Sequence, residues 1–307
     1  MDGTSKHIAV LVDEVVAGLR VRPGGRYLDA TLGAGGHAAS ILRASAPDGQ
    51  VLGLDTDAEA VDYALRALRP FCARVIAQVA NFRSLESVVS NLGFDFVDGV
   101  LLDLGFSSRQ MEDAERGFYF AREGPLDMRL DRRQDQTAAD LVNLLPEAEL
   151  ADLLWRFGEE RHSRRIARAI VRARPVSSTT DLAELVKRSV GHRERIHPAT
   201  RTFQALRIAV NDEIDNLSET LPQARNVLRP GGRLAVISFH SLEDRVVKRF
   251  YQLEARDCIC PPETPICVCQ HRATLRVISR KPIRPSDKEV TANPRSRSAK
   301  LRIAERL

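Results

Sequence analysis

The chain has 307 residues, of which 43% are hydrophobic, and a formal net charge of +5. A chain of this length can bury a large core, and we expect it to form two domains. Five cysteines are too few for a disulfide scaffold, and the sequence contains neither a signal-peptide core nor a run of ~20 apolar residues. We therefore expect a cytoplasmic protein that does not associate with a membrane.

Positive charge is concentrated in two stretches of the chain. Residues 156–207 carry 13 Lys and Arg against 5 Asp and Glu, and residues 280–307 carry 9 against 3. The rest of the chain is therefore acidic overall. Segregated positive charge favours a polyanionic partner such as nucleic acid, although solvated helix faces explain part of such an excess.

The chain is organised around RYLDATLGAGGH, residues 26–37. The apolar run ending in an acid predicts a buried strand, and Gly33, Gly35 and Gly36 predict a tight loop before a helix over about 35–43. Such a loop lets the backbone approach a nucleotide-like ligand, and the helix N-terminus offers it unpaired N–H groups. An ordinary glycine-rich turn is the alternative, because Gly33, Gly35 and Ala38 also fit the loose dinucleotide fingerprint.

Strands and helices then alternate up to residue 103. The predicted strands are QVLGLD, a run over 74–79 and FVDGVLLD, with helices over 58–68 and 84–92 between them. Four βα units predict a parallel sheet whose right-handed crossovers bring all the carboxyl ends of the strands to one edge. Asp29, Asp55, Phe82 and Asp103 are expected at that edge.

Asp55 follows Gly35 by 20 residues. A doubly wound fold places a carboxylate there to accept hydrogen bonds from ribose hydroxyls. NAD and S-adenosylmethionine both satisfy this pattern, so the spacing alone does not choose between them.

The alternation stops after residue 106, and helical patterns replace it. They cover residues 138–145, 147–157, 163–172 and 181–190 and predict an inserted helical domain over 107–200, between parts of the main domain over 1–106 and 201–307. The basic excess lies on SRRIARAIVRAR and RSVGHRERIHPATR, where aromatic residues are sparse. That composition favours contact with a nucleic-acid backbone over base stacking.

The last third of the chain returns to the sheet. A long helix over about 202–228 precedes a fifth strand, RLAVISFH, a helix over 242–254 and two late strands, TLRVISR and AKLRIAER. Residues 281–298 are predicted to be a loop that is mobile until RNA binds. The fold class is therefore α/β, a doubly wound, mostly parallel, seven-stranded Rossmann-like sheet with an inserted all-helical domain.

Long motifs spread over nearly the whole chain resemble the RsmH family, formerly MraW, of bacterial 16S ribosomal RNA methyltransferases. They are DATLGAGGH, GLD, ANF, LLDLGFSSRQ, RGFYF with GPLDMR, GEERHSRRIARAIV, HPATRTFQALRIAVNDE, LRPGGRLAVISFHSLEDRVVK and NPRSRSAKLR. The resemblance implies transfer of a methyl group from S-adenosylmethionine to N4 of a cytidine, position 1402 in the usual numbering of 16S rRNA. The implied partner is this RNA within the small ribosomal subunit.

The resemblance also implies which residues bind the cofactor. The turn of Gly35, Gly36 and His37, with Gly33 before it, would hold the methionine moiety, and Asp55 would hold the ribose. Phe82 would cover the adenine, and Asp103 with Gln110 would lie nearest the reacting methyl. The divergent stretches are the first six residues and the cysteine-rich loop.

Asp103 is the candidate catalytic residue. The N4 amine of cytosine is a poor nucleophile because its lone pair is delocalised into the ring, and an acceptor on its hydrogens favours the more nucleophilic form. A role for Asp103 in cofactor binding alone is an equal alternative. Phe106 could stack on an extruded base or pack in a core, and His240 could contact RNA, act as a base or be structural. Asp127 is left without a role.

Cys258, Cys260, Cys267 and Cys269 form two C-x-C pairs separated by six residues. Four thiolates could close a zinc site, but the pairs lack the usual C-x2-C spacing, so a reduced thiol loop stays open beside a metal site.

Two other functions share part of this pattern. A nicotinamide oxidoreductase would share the glycine loop and Asp55 but leaves the basic insert unexplained. A non-catalytic RNA-binding factor would need the basic surfaces alone. The sequence leaves the oligomeric state open, including a homodimer.

Overall fold

The structure is a computed structural model that describes residues 9–94, 96–191, 197–261, 263–264 and 266–307. It separates into two compact units. The first unit contains the described residues up to Gly105 together with Ile214–Leu307, and the second is Phe106–Glu213. Within the basic stretch RSVGHRERIHPATR, residues 192–196 lie outside the described residues.

The first unit contains a seven-stranded sheet of order β3-β2-β1-β4-β5-β7-β6. Strands β1 to β5 are parallel to one another, and β7 is antiparallel to both β5 and β6. This topology confirms the predicted fold class. The strands are β1 Arg26–Asp29, β2 Gln50–Asp55, β3 Val75–Val79, β4 Val97–Asp103, β5 Leu228–Ser238, β6 Leu275–Val277 and β7 Lys300–Arg306.

Thirteen α-helices occur in the described part of the chain. They are α1 Val12–Gly18, α2 Gly36–Ala44, α3 Ala58–Ala67, α4 Leu85–Asn91, α5 Ser108–Glu112, α6 Ala138–Leu144, α7 Glu147–Gly158, α8 Ser163–Ala173, α9 Thr179–Val190, α10 Ala199–Val210, α11 Glu213–Val227, α12 Ser241–Glu254 and α13 Asp287–Ala292. None of these described helices is long and apolar enough to span a membrane.

The sheet is covered on both faces, as a parallel sheet requires. Successive residues of β1 belong to different clusters, because side chains alternate along a strand. Leu28 belongs to a core with residues of α4, α11 and α12, whereas Tyr27 belongs to a core with residues of α1, α2 and α3. Both residues are fully buried. Packing on both faces thus holds the strands whose carboxyl ends form the edge of the sheet.

The second unit has its own hydrophobic core, built from helices α6 to α10. The amphipathic α8 buries Ile166 and Ile170 and exposes its arginines. Gly158 at the end of α7 allows a close approach to α10, since a Cβ there would lie 2.7 Å from the Arg201 carbonyl oxygen. The helical composition agrees with the pattern of the sequence.

The single helix predicted over 202–228 is wrong. The chain forms α10 and α11, and Asp212 between them has a φ of 48°. The side chain of Asn211 stabilises the break by accepting from the backbone N–H of Leu130 at 2.7 Å and donating to the Met128 carbonyl at 2.8 Å. Helix α10 belongs to the second unit, which therefore extends to Glu213 and not to residue 200.

The stretch over 281–298, predicted to be a mobile loop, contains regular structure. Helix α13 is followed by a 3-10 helix over Pro294–Ser298, in which Ser296 is fully buried. The carboxylate of Glu289 in α13 accepts the backbone N–H of Leu11 at 2.8 Å. This contact ties the segment to the N-terminal part of the same unit.

Candidate cofactor and catalytic site

Three acids end neighbouring strands at the carboxyl edge of the sheet. Asp29 ends β1, Asp55 ends β2 and Asp103 ends β4, and the parallel register aligns these ends. The order of the strands reverses between β1 and β4, which is where open α/β sheets form a ligand-binding crevice. The predicted convergence of the three acids on one edge is therefore found.

The glycine loop after β1 adopts backbone conformations that favour glycine. Gly33 has a φ of 51°, and Gly35, which precedes the first turn of α2, has a φ of 80°. Gly36 has a different reason to lack a side chain, because a Cβ there would lie 2.9 Å from the Cβ of Ala9. Gly33 and Gly35 thus shape the loop, and Gly36 makes room for the N-terminal segment.

Asp55 organises this loop. One carboxylate oxygen accepts the backbone N–H of Gly33 at 2.8 Å, and the other accepts that of Asp57 at 2.9 Å. Burial raises the pKa of Asp55. A carboxylate has about four acceptor sites, so Asp55 can still accept a ligand hydroxyl.

Asp103 is held from two sides. Its backbone N–H donates to the Thr31 hydroxyl at 2.6 Å, and its Oδ2 lies 3.4 Å from His37 Nε2. Burial by itself would lower the pKa of His37, but the adjacent Asp103 carboxylate outweighs it and the pKa is raised. The other carboxylate oxygen of Asp103 is buried and accepts no hydrogen bond from the described residues.

Asp29 is a second acid with an unsatisfied oxygen. Its side chain is buried, Oδ1 accepts the backbone N–H of Thr31 at 3.3 Å, and Oδ2 has no hydrogen-bond partner within the described part of the chain. Burial raises the pKa of Asp29 to about 6. The sequence placed Asp29 at this edge but did not select it as a site residue, since a single acid at a strand end is usually solvated.

Asp103 and Asp29 together offer two buried acceptor atoms beside a glycine loop. Buried carboxylate oxygens normally find a donor, because leaving one unpaired is costly. A ligand that carries positive charge or N–H and O–H donors would satisfy both atoms. The residues present therefore fit a cationic, nucleoside-like cofactor such as S-adenosylmethionine.

Phe82 and Gln110 occupy different surroundings. Phe82 begins a 3-10 helix after β3 and is half-buried against the core of the first unit. Gln110 lies in the second unit, where its Oε1 accepts the backbone N–H of Ser107 at 2.8 Å in the cap of α5. Gln110 thus has a local structural role that the sequence pattern did not indicate.

His240 and Phe106 both make structural contacts, which for each residue was one of the alternatives left open by the sequence. His240 caps α12, and its Nε2 lies 3.0 Å from the Glu243 carboxylate. The ring of Phe106 stacks on Phe118 with 5.0 Å between ring centroids and packs against the core of the second unit. Asp127, left without a role, pairs with Arg129 at 2.8 Å.

Helix α8 presents four exposed arginines, at positions 164, 165, 168 and 172. The spacing of three to four residues places Arg165, Arg168 and Arg172 along one side of the helix. Arg168 is paired with Glu147 at 3.3 Å, so part of its charge is already compensated. The remaining arginines form the main basic feature of this helix.

Comparison with known proteins gives matches over nearly the full length of the chain. A model described as the MraW methylase family matches residues 4–307. Curated relatives named ribosomal RNA small subunit methyltransferase H include the following three. The one from Dehalococcoides mccartyi is 53% identical over 302 residues, covering 98% of this chain and 86% of the relative. The one from Thermomicrobium roseum is 53% identical over 308 residues, covering 99% and 94%. The one from Heliobacterium mobile is 50% identical over 308 residues, covering 98% and 99%.

Proposed function

The chain belongs to the MraW methylase family and is an S-adenosylmethionine-dependent methyltransferase, and from this premise we propose that it methylates N4 of a cytidine in 16S rRNA. By the family resemblance, the target is position 1402 within the small ribosomal subunit. Membership in a methylase family favours methyl transfer over the hydride transfer of a nicotinamide oxidoreductase. It also favours an enzyme over a non-catalytic RNA-binding factor.

The observation that carries the proposal is the pair of unsatisfied carboxylate oxygens on Asp29 and Asp103 beside the glycine loop. S-adenosylmethionine, when bound, supplies a methyl group that is already activated by its positively charged sulfur. We propose that the acidic strand ends attract this charge. The turn of Gly35, Gly36 and His37 would hold the amino-acid end of the cofactor.

Asp55 and Phe82 would bind the nucleoside part of the cofactor. Asp55 already fixes the Gly33 backbone, so one side chain would both shape the loop and accept the ribose hydroxyls. Phe82 would cover one face of the adenine. Gln110 is the weakest of the proposed ligands near the reacting methyl, because its Oε1 is already engaged in the cap of α5.

We propose that Asp103 accepts a hydrogen bond from the target amine. Positioning dominates this reaction, because the methyl group is already activated and one proton must leave the amine. Asp103 is suited to the task because the Thr31 hydroxyl holds its backbone and His37 Nε2 lies 3.4 Å from Oδ2, while Oδ1 accepts no hydrogen bond from the described residues. The alternative, that Asp103 only binds the cofactor, stays open.

The substrate class is supported by the charge of the second unit. The exposed arginines of α8 are suited to backbone phosphates, and helices with few aromatic residues are less suited to base stacking. A ribosomal substrate in turn places the enzyme in the cytoplasm. A homodimer stays a prediction, and sedimentation of the purified protein would test it.

The proposed function is tested by methyl transfer from isotope-labelled S-adenosylmethionine to small ribosomal subunits that lack the modification. The expected result is label in one cytidine, found as N4-methylcytidine after digestion to nucleosides and mapping of the RNA. Label at another base, at C5 of cytosine or at a ribose would contradict the proposed specificity. Transfer to protein only would contradict the substrate class.

A further inference from the structure

Four cysteine sulfurs come together in the segment between α12 and β6. The Sγ atoms of Cys258, Cys260, Cys267 and Cys269 all lie within 4.8 Å of one another. Two of the separations are 3.6 Å, between Cys267 and Cys269, and 3.8 Å, between Cys269 and Cys258. The fifth cysteine, Cys72, lies elsewhere in the chain and is exposed.

We propose that these four cysteines bind one zinc ion in a structural site that is separate from the methyl-transfer site. The distances between the sulfur atoms support this proposal. Four sulfurs placed tetrahedrally at a Zn–S distance of ~2.3 Å are ~3.8 Å from each other, and the two short separations are close to that value. The unusual C-x-C spacing hides the site in the sequence, but the fold of the segment brings both pairs together.

The same separations weigh against the other uses of clustered cysteines. A disulfide needs sulfurs ~2.05 Å apart, and the cysteines of this segment are free. An iron–sulfur cluster places inorganic sulfide and several irons between its cysteines, whereas this set is compact enough for one ion. Four cysteines around one ion are a common closed structural zinc site, and metal analysis distinguishes zinc from a single iron in the same set.

Backbone N–H groups support the sulfurs as metal ligands are usually supported. The N–H of Ile259 donates to Cys269 Sγ at 3.4 Å, and the N–H of Val268 donates to Cys260 Sγ at 3.4 Å. These hydrogen bonds fix the directions in which the two sulfurs point.

The large apolar side chains that the structure describes in this segment do not form a core that could order it in place of a metal. They are exposed, with 41% of Ile259, 75% of Ile266 and 74% of Val268 accessible to solvent. The end of the segment is tied to the unit, where the Thr274 backbone N–H donates to the Glu254 carbonyl at 2.8 Å. A bound ion would therefore supply the cross-link that small segments otherwise obtain from packing.

The test is metal analysis of the full-length protein, purified under reducing conditions without a metal-affinity tag. We expect one zinc per chain in the wild type and in Cys72→Ser, the control that removes a cysteine outside the cluster. Cys258→Ser and Cys269→Ser should each lose most of the zinc. Equal zinc in all four proteins, or none in the wild type after it has been supplied with zinc and dialysed, would overturn the proposal.

Two further measurements on the wild type do not depend on how the variants fold. Zinc should protect four cysteines from alkylation while Cys72 stays reactive, and mass spectrometry of the peptides would show which ones. Cobalt in place of zinc should give the intense visible bands of a tetrahedral four-sulfur site. Alkylation of all five cysteines with zinc present, iron in place of zinc, or disulfides within the cluster of reduced protein would overturn the site.

Discussion

The carboxylate of Asp103 has one oxygen beside His37 and a second oxygen without a hydrogen-bond partner among the described residues, so a single substitution can separate its two proposed roles. Asp103→Asn keeps the size but replaces one acceptor oxygen by an NH2 group. If Asp103 accepts the amine hydrogens, single-turnover methylation at saturating cofactor and RNA should slow by ~100-fold or more. A rate close to that of the wild type would leave Asp103 with cofactor binding only. Asp62→Asn, an exposed acid on α3, is the control and should react normally.

Asp29 makes stability depend on pH. Its pKa is about 6 in the folded state, above the ordinary value of about 3.9 that applies when the chain is unfolded. The folded state thus binds this proton more tightly, so stability that is present below pH ~4 is lost as the pH rises towards 6. Asp29→Asn cannot ionise and should gain about 1–3 kcal/mol relative to the wild type between pH ~4 and ~7.5.

Urea unfolding at several pH values would measure this gain. The quantity to follow is the difference between Asp29→Asn and the wild type, because groups distant from Asp29 titrate equally in both proteins. A difference that does not change with pH would show that Asp29 has an ordinary pKa. Asp62→Asn serves again as the control, since it makes the same change at an exposed position of the same unit.

At the scale of residues, the sequence predicted correctly at which edge of the sheet the acids lie but not how deeply each of them is buried. Each strand-end acid is visible as the last residue of an apolar run, and topology brings these ends to one edge. Which acid is fully buried depends on the packing of loops from distant parts of the chain. Asp29 was therefore not predicted to be a site residue, and the cap that Gln110 makes at α5 was not predicted either.

At the scale of the elements, substitutions in α8 test whether this helix binds RNA. Arg168 is compensated by Glu147, so the informative variant changes Arg164, Arg165 and Arg172 to glutamine. Removing these three charges should weaken RNA binding and lower the salt slope, by ~0.7–0.9 for each phosphate that is no longer neutralised. Cofactor affinity should not change.

The control for α8 removes the same charge from the first unit by changing the exposed Arg43, Arg66 and Arg69 to glutamine. Binding to small ribosomal subunits is measured over a range of salt for both variants. If both variants show the same drop in affinity and slope, α8 has no special role and only net charge matters. If neither changes, α8 is a solvated helix face.

The break between α10 and α11 depends on Asn211. Its buried side chain satisfies the Leu130 N–H and the Met128 carbonyl, so Asn211→Ala leaves both backbone groups unpaired. The expected loss is about 2–4 kcal/mol from the free energy of unfolding of the second unit. Denaturant unfolding would measure it, and Asn143→Ala, which removes two comparable bonds to Val176, is the matched comparison. A loss near zero at Asn211 alone would show that the break needs no side chain.

Most elements were predictable because local patterns determine them. Apolar runs ending in acids mark the strands, and helical periodicity marks α6 to α9. The break at Asp212 was not predictable, because helical periodicity continues through it and the bonds that stabilise it come from residues some 80 positions earlier. The helix within 281–298 was missed for a similar reason, since that stretch is held by contacts with the N-terminal part of its unit.

At the scale of the whole molecule, the second unit should fold without the first. It is one continuous stretch with its own core, and Arg207 links its two ends, since the guanidinium lies 4.9 Å from the Phe106 ring centroid and donates to the Glu213 carboxylate at 2.7 Å. A fragment of residues 106–213 is expected to unfold cooperatively, with a free energy of unfolding of about 5 kcal/mol or more. Ile170→Ala, which opens the core, should lower this by about 2–5 kcal/mol. Circular dichroism during urea unfolding would measure both, and a broad transition that Ile170→Ala does not shift would contradict the expectation.

The position of β7 has a consequence for the synthesis of the chain. This strand is formed by residues 300–306 yet lies inside the sheet, between β5 and β6. At about 5–20 residues per second, roughly 10 to 40 seconds separate the emergence of β4 from that of β7. The second unit can fold on the ribosome during that time. Until β5 has been made, the edge of β4 that pairs with it stays unpaired. Newly made chains are thus most vulnerable to mispairing and to proteases in this interval, and a translational pause before residue 228 would lengthen it.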